Sequence, residues 1–214
     1  MPDFSAPHPS CYDADIHWVA SRCCMNKREF NALLSEIGPL AADAYSQEMT
    51  RLFPDMALPS LRFDVCTKVH YEAAENWPDT TAQKDGYGKW SWEEIFHKSK
   101  YPSDKFVMAV SSNGNLGGLF SGKLSENEVE IQFVQRDIGC PSLKGFMIPA
   151  TITYGAVLGQ VMGLGMLSVC GPAPKIVQRY EASMKGDVIF TYGQKKEVLK
   201  MSVPVDKVVP PPTD

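Results

Sequence analysis

Hydrophobic and polar residues follow a helical repeat in the first part of the chain. Asn26 is a suitable N-cap with a glutamate three residues later, and apolar residues then recur at helical spacing. This pattern predicts an amphipathic helix over Lys27–Ile37. Gly38 and Pro39 are helix breakers, so a separate second helix is predicted from Pro39 to Phe53.

Two strands and an aromatic-rich segment are also predicted in this half. Ile16–Ser21 is a short apolar run, and the strict alternation of Leu61–Tyr71 is typical of a half-buried strand. Residues 72–104 show no long periodic run, although Trp90–Lys98 is predicted to form a short helix. The segment is interpreted either as a surface loop pinned by aromatic side chains or as a wall that shapes a substrate pocket. Its aromatic residues are Trp77, Tyr87, Trp90, Trp92 and Phe96.

From Phe106 onward the pattern predicts a hairpin, a strand, a loop, a helix, a strand, a helix and a second hairpin. The first hairpin turns at Asn113-Gly114, a strong hairpin signal between apolar runs. Glycine and proline punctuate the later elements. These elements are predicted at Phe106–Val110 and Leu116–Lys123, Glu128–Gln135, the helix between Gly145 and Gly163, Met166–Cys170, Pro174–Met184, and Asp187–Tyr192 with Val198–Val203.

Composition favours one ordinary globular domain. The chain has 214 residues, of which 44% are hydrophobic, and a net charge of -4. The acidic balance argues against a nucleic-acid binder, which usually presents a basic face. We expect a disordered leader over residues 1–14, a domain over residues 15–204 and an extended tail over residues 205–214. No signal segment is recognised at the start, and the cysteines, which lie inside apolar runs, favour reduced, buried thiols in a cytoplasmic protein.

The cysteines argue against a zinc site, and the composition of the uncharged helix argues against a membrane span. The six cysteines form no C-x-x-C pair, so no metal site is predicted and reduced thiols are expected. Residues 146–166 carry no charge and are long enough to raise the question of a membrane span. Pro149, Gln160 and the glycines instead favour a core helix, or one partly covered by a second subunit in a homodimer.

The second half of the chain resembles the GNAT-type N-acetyltransferases, members of the acyl-CoA N-acyltransferase superfamily. Three features carry the resemblance: the hairpin FVMAVSSNGNLGGLFSGKL, the loop–helix joint LKGFM, and the spacing from Val169 to Tyr180. A different loop register, starting at Arg136, would place Pro141 last in the motif, so the register containing Gly145 is preferred. The resemblance implies an α+β fold. Its central sheet is mostly antiparallel, flanked by helices, and splayed between the fourth and fifth strands, with residues 105–204 forming the acyl-CoA half.

The resemblance implies acetyl-CoA as the acyl donor. A loop that opens a helix offers free backbone N–H groups and a positive dipole end to a pyrophosphate. The alternative is an ordinary helix-start glycine beside a solvated lysine. The pantetheine arm is expected to pair with the backbone of the fourth strand. The implied binding residues are Leu143, Lys144, Gly145, Phe146 and Met147 in the loop and Phe133, Val134 and Gln135 on the strand.

Transfer to an amine requires a group that takes a proton and one that protonates the leaving thiolate. Glu130 is the candidate base, with Glu128 next to it on the same strand face; the alternative is a solvated face with cross-strand ion pairs. Tyr180 matches the helix tyrosine that acts as general acid in the family. The alternative for Tyr180 is a tyrosine at the edge of the core that finds a hydrogen-bond partner.

The sequence therefore predicts an acyltransferase that acts on a primary amine of a small molecule or peptide. A GNAT-like binding or regulatory module without catalysis is the alternative. Ser142 stands where the family's loop has Gln or Arg, and Met147 stands where it has Gly or Ala. A third hypothesis is a small membrane-associated protein that uses the apolar helix.

Overall fold

A computed structural model describes residues 25–78 and 90–209. The predicted strand Ile16–Ser21, the leader over residues 1–14 and Tyr87 lie outside the described residues. The described elements are six helices and seven strands, together with 3-10 turns at Pro141–Leu143 and Pro174–Ile176. In chain order they are α1 (Lys27–Leu52), β1 (Leu61–Val65), α2 (Lys68–Glu75), α3 (Trp92–Ser99), β2 (Lys105–Ser112), β3 (Asn115–Leu124), β4 (Glu128–Arg136), α4 (Met147–Val161), β5 (Met166–Cys170), α5 (Val177–Met184), β6 (Ile189–Tyr192), β7 (Val198–Pro204) and α6 (Val205–Val208).

The described strands form one mixed sheet in the order β1-β2-β3-β4-β5-β7-β6. Among the strands of residues 25–78 and 90–209, only β4 and β5 pair in parallel, and the crossover between them is helix α4. Helices α1 and α4 share one face, where the Tyr154 hydroxyl of α4 donates to the Leu34 carbonyl of α1 at 3.1 Å. Helices α2 and α3 cover the other face over β2 and β3. This arrangement confirms the predicted α+β fold class and the predicted order of elements in the second half.

The predicted break at Gly38-Pro39 is wrong, because α1 is one continuous helix. A Cβ at Gly38 would lie 2.5 Å from the backbone oxygen of Phe63 in β1, so the glycine permits close packing of helix on sheet rather than a turn. Pro39 is exposed and is accommodated inside the helix. The predicted start is confirmed, because Asn26 and Glu29 form the reciprocal capping box.

The predicted strand over Leu61–Tyr71 is too long. Strand β1 ends at Val65, and Thr67 is the N-cap of helix α2. The Thr67 N–H donates to His70 Nδ1 at 3.2 Å, which ties the start of the helix in place of further strand pairing. Val69, assigned to the buried face, is instead 72% exposed.

The described part of residues 72–104 is a packed layer. Trp92 is fully buried, and the rings of Tyr71 and Phe96 lie 4.9 Å apart between α2 and α3. The short helix predicted at Trp90–Lys98 is found at Trp92–Ser99, capped by Ser91. The aromatic residues in this part therefore join the two helices to the sheet.

The apolar helix matches its prediction, whereas the described part of the tail does not. The apolar helix is confirmed as α4, with most of its residues buried inside the chain itself. None of the helices within residues 25–78 and 90–209 is long and apolar enough to cross a bilayer. The described part of the predicted tail is not extended, because Val205–Val208 is a helical turn whose Val205 and Val208 are buried.

Candidate functional site

Strand β4 parts from strand β5 halfway along its length. The parallel ladder begins at Glu128–Met166 and ends at Ile131–Val169, whereas β4 continues to Arg136 in contact with β3. A bulge at Gln132 shifts the register with β3 at the same point. Beyond the bulge, alternate backbone N–H and C=O groups of β4 point away from β3, into the opening beside β5.

The predicted pantetheine-binding residues lie on this second half of β4. Phe133 stacks edge-to-face against Trp90 with ring centroids 4.8 Å apart. Gln135 accepts a hydrogen bond from the buried Trp92 indole at 2.8 Å, while Val134 packs into the core on the opposite face. Their side chains are thus fixed by the two helical layers, which leaves the backbone edge as the available surface.

The loop after β4 is held by its own side chains. The Arg136 guanidinium donates to the carbonyls of Asp137 at 2.7 Å and Cys140 at 2.9 Å. Asp137 in turn accepts from the Gly139 N–H at 2.8 Å. Gly145 has a φ of 86°, and a Cβ there would meet open space. The positive φ is what favours glycine at this joint.

Two glycines of β3 let the loop and the start of α4 pack onto the sheet. A Cβ at Gly117 would lie 2.5 Å from Cys140 Sγ and 2.8 Å from Leu143, and one at Gly118 would clash with the Met147 thioether. Met147 is therefore buried against β3. The larger residue at the last motif position is accommodated by the absence of a side chain at Gly118.

Several backbone donors of the predicted pyrophosphate loop bond within the loop. The N–H groups of Leu143, Lys144 and Phe146 donate to the carbonyls of Cys140, Pro141 and Leu143 respectively. The structure therefore does not leave these three groups pointing outward.

The first turn of α4 supplies the remaining donors. The N–H groups of Met147 and Ile148 have no intrahelical acceptor by helix geometry, and they carry the positive end of the helix dipole. Phe146 caps the helix without a side-chain hydrogen bond. The exposed Lys144 adds a positive charge beside Gly145. Together these groups make an electropositive joint at the opening.

The predicted base, Glu130, lies on the sheet face opposite α4. It is buried and engaged by four side chains. Ser125 donates to it at 2.8 Å, the Lys123 ammonium lies 3.2 Å away, the Cys170 thiol donates at 3.6 Å, and Lys200 lies 3.8 Å away. This face therefore carries the cross-strand pairs of the alternative interpretation, although Glu130 is buried rather than solvated.

Glu128 shares that face and completes the network. Its carboxylate pairs with Lys200 at 2.5 Å and accepts from Ser168 at 2.7 Å. Ser168 also bonds Ser202 at 2.8 Å. Two carboxylates and two ammonium groups thus balance in charge across β3, β4, β5 and β7.

The network decides the protonation state of Glu130. Burial pushes the pKa of Glu130 upward, but hydrogen bonds from Ser125 and Lys123 and contact with Glu128 outweigh it, so the pKa is lowered. Burial, reinforced by Glu130, raises the pKa of the neighbouring Cys170 thiol to about 11. At neutral pH the site holds a carboxylate and a neutral thiol.

Tyr180 lies in the first turn of α5, which follows the carboxyl end of β5. It is buried in the core shared with α4, and burial raises the pKa of its hydroxyl. Helix α5 packs beside α4, so Tyr180 and Glu130 approach from opposite faces of the sheet. The two predicted catalytic residues do not contact each other directly.

Two small clefts lined by described residues lie elsewhere. One of about 170 Å³ is at the far end of α4, beside Phe30, Leu124 and Met162. The other, of about 90 Å³, lies beside Lys27. The opening between β4 and β5 is a strand edge and a helix terminus rather than an enclosed cavity.

Sequence reasoning found the glutamate face and the glycine joint but missed their partners. The partners Lys123 and Lys200 were not predicted. Each lies in a strand whose alternating pattern places its side chain on the polar face, and this pattern was the available signal. The bulge at Gln132 has no distinguishing sequence signal.

No protein-family model matches this sequence. No curated protein matches it either. Solved structures do resemble it. An uncharacterized protein from Bacillus halodurans superposes with a TM-score of 0.53 at 10% identity, covering 70% of this chain and 86% of that one. PaiA N-acetyltransferase from Thermoplasma acidophilum, solved in complex with coenzyme A, gives 0.48 at 10% identity over 68% and 99%. Ard1 from Thermoplasma volcanium gives 0.47 at 11% identity over 67% and 97%.

Proposed function

We propose that this chain, which has the GNAT fold, transfers an acyl group from acyl-CoA to a primary amine. The observation that carries the proposal is the open edge of β4 beyond Ile131, which meets the amino end of α4 at Gly145. A linear ligand with amide groups and a pyrophosphate matches this surface, since it needs a strand edge at one end and N–H donors at the other.

Binding follows from the same geometry. The pantetheine amides pair with the backbone of Phe133, Val134 and Gln135 as an added strand. The pyrophosphate lies at the first turn of α4, where Met147 and Ile148 donate and Lys144 contributes charge. Gly145 keeps the approach free of a side chain.

Acyl transfer then needs the acceptor amine to form a C–N bond as the C–S bond breaks. The amine loses a proton and the thiolate gains one. Glu130 is ionised and accepts that proton through water, once the neutral acceptor amine and this water take the place of Lys123 beside it. Tyr180 is protonated at neutral pH and protonates the thiolate. The acceptor is a small amine or a basic peptide, in keeping with the acidic net charge.

Coenzyme A binding tests the proposal, with a matched pair of variants. Gly145 and Gly114 both have positive φ and open space at Cβ, and only Gly145 adjoins α4. Gly145→Asp places a negative charge at the proposed pyrophosphate site. Gly114→Asp places the same strain and charge at the hairpin turn. Calorimetric titration with coenzyme A is expected to show about ten-fold weaker binding for Gly145→Asp and an unchanged affinity for Gly114→Asp.

Equal affinities for the two variants, or no binding by the unmodified protein at millimolar coenzyme A, would overturn the proposal. Turnover is then measured as free-thiol release from acetyl-CoA over a panel of diamines, amino sugars and basic peptides. Tyr180→Phe is expected to lower the rate while leaving coenzyme A affinity unchanged, and Glu130→Gln is expected to do the same.

A GNAT-like binding module is the second candidate. The internal hydrogen bonds of the Leu143, Lys144 and Phe146 N–H groups favour it, because fewer donors remain for a pyrophosphate. Coenzyme A binding without thiol release for any acceptor would support this function over acyl transfer.

A further inference from the structure

Lys27 lies in a cleft at the end of the sheet where β2 begins, away from the joint at Gly145. The cleft has a volume of about 90 Å³ and is formed by the first turns of α1, the end of β1, the start of β2 and the end of α3. Its wall is mostly apolar or neutral. The lining residues include Asn31, Val65, Cys66, Phe96, Lys100 and Val107.

The ammonium of Lys27 is poorly compensated in this cleft. It donates to the Lys105 carbonyl at 2.5 Å and lies 5.2 Å from the centre of the Phe30 ring. None of the described carboxylates lies within ion-pair distance of it. Lys27 is also the first residue of α1, where the helix dipole repels a cation.

The charge state of Lys27 reflects these surroundings. Burial lowers the pKa of Lys27 to about 8, against a smaller opposing attraction from Asp104. Lys100 lines the same cleft and adds a second positive charge. At pH 7 about one-tenth of the Lys27 amine is therefore unprotonated.

A second polar group in the cleft has no hydrogen-bond partner among the described residues. The side-chain oxygen of Asn31 is buried and accepts no hydrogen bond from the described residues. Asn31 follows Lys27 by one helical turn, so their side chains lie on the same face of α1. A donor brought into the cleft would satisfy this oxygen, and the volume is that of about three water molecules at ~30 Å³ each.

We propose that Lys27 is an acylation site, whose amine takes a short acyl group from an acyl thioester and holds it in this cleft. The amine lone pair forms a C–N bond with the acyl carbon and the C–S bond breaks. The thiolate leaves and takes up the proton released from nitrogen. The product amide N–H donates to the Lys105 carbonyl or the Asn31 oxygen, and a cation is removed from the start of α1. The reaction is direct and does not depend on the proposed enzymatic function.

Site-resolved acylation tests this proposal. The full chain is incubated with acetyl-CoA, and acetylation at each lysine is followed by mass spectrometry. Lys98 is the comparator, because it is exposed and ion-paired with Glu94 at 3.2 Å. At about pH 7.5, roughly a quarter of Lys27 and roughly a thousandth of an ordinary lysine is free amine.

A less basic amine is also a weaker nucleophile, so we expect Lys27 to label about ten-fold faster than Lys98. Its rate should level off above about pH 8, whereas the rate of an ordinary lysine keeps rising. Equal rates for the two lysines, or a Lys27 rate that rises without a plateau, would overturn the proposal.

Three variants test whether the cleft controls the reactivity of Lys27 and whether the reaction is direct. Asn31→Asp is nearly isosteric and places a carboxylate one turn from Lys27, so it should slow labelling of Lys27 several-fold. Asn115→Asp makes the same change on the exposed hairpin and should leave that rate unchanged. If Asn31→Asp leaves the labelling rate of Lys27 unchanged, the cleft does not control the reactivity of the Lys27 amine. Gly145→Asp should label at the unmodified rate; loss of labelling there would show self-catalysed transfer and overturn the direct reaction.

Discussion

Met147, the first residue of α4, packs against Gly118 of β3, and a double-mutant cycle measures this contact. A Cβ at Gly118 would lie 2.8 Å from the Met147 methyl carbon and nearer still to its sulfur. Gly118→Ala therefore overpacks this contact. We expect a loss of about 1–2 kcal/mol in the free energy of unfolding, at the lower end for overpacking because methionine is flexible.

Met147→Ala should cost about 2–4 kcal/mol, since it removes a side chain that is 4% exposed. In the double variant the alanine at residue 118 no longer clashes and partly fills the cavity. The loss of unfolding free energy in the double variant should therefore be about 1–2 kcal/mol smaller than the sum of the losses in the two single variants. Urea unfolding of the four proteins gives these free energies.

Met162→Ala provides the control, because Met162 is also buried but lies at the other end of α4. Gly118→Ala combined with Met162→Ala should be additive. Additivity within about 0.5 kcal/mol for the Gly118–Met147 pair would refute the reasoning.

Three further predictions concern α1. Gly38→Ala should destabilise the fold by about 2–3 kcal/mol in urea unfolding, because its Cβ meets a backbone oxygen of β1 that cannot give way; a neutral result would contradict the close packing. Asn26→Ala should cost about 1 kcal/mol in the same assay through loss of the cap. The hydrogen bond from Arg51 lowers the pKa of Glu48 to about 2, against an opposing effect of burial and with help from Lys185. A lowered folded-state pKa stabilises the fold at higher pH, and this contribution is lost as pH falls from 4.5 to about 2. Lys185→Met should make the loss shallower when the urea midpoint is followed against pH.

Elements whose local pattern agrees with their packing could be predicted from the sequence. The hairpin at Asn113-Gly114 and helix α4 are examples, since turn chemistry and apolar runs there match their final positions. Predictions from local sequence patterns were wrong where packing between distant segments determines the structure. Gly38 has the sequence pattern of a helix breaker, but its function is to let α1 pack closely against β1. The alternation of apolar and polar residues extends to Tyr71 by coincidence, because residues from Lys68 onward form a helix.

The candidate site shows the same division. Alternation correctly placed Glu128 and Glu130 on one face, because strand periodicity alone determines this. Their pairing with Lys123 and Lys200 depends on which strands are neighbours, which the sequence pattern did not specify. The opening after Ile131 comes from a bulge and from the divergence of two strands far apart in sequence.

Hydrogen exchange of backbone amides with and without coenzyme A tests the central claim most directly. The account predicts that coenzyme A slows exchange in two segments, residues 132–136 of β4 and residues 145–149 at the start of α4, and leaves the β1–β2 edge unchanged. Binding that protects other segments while leaving these two unaffected would contradict the proposed acyl-CoA site.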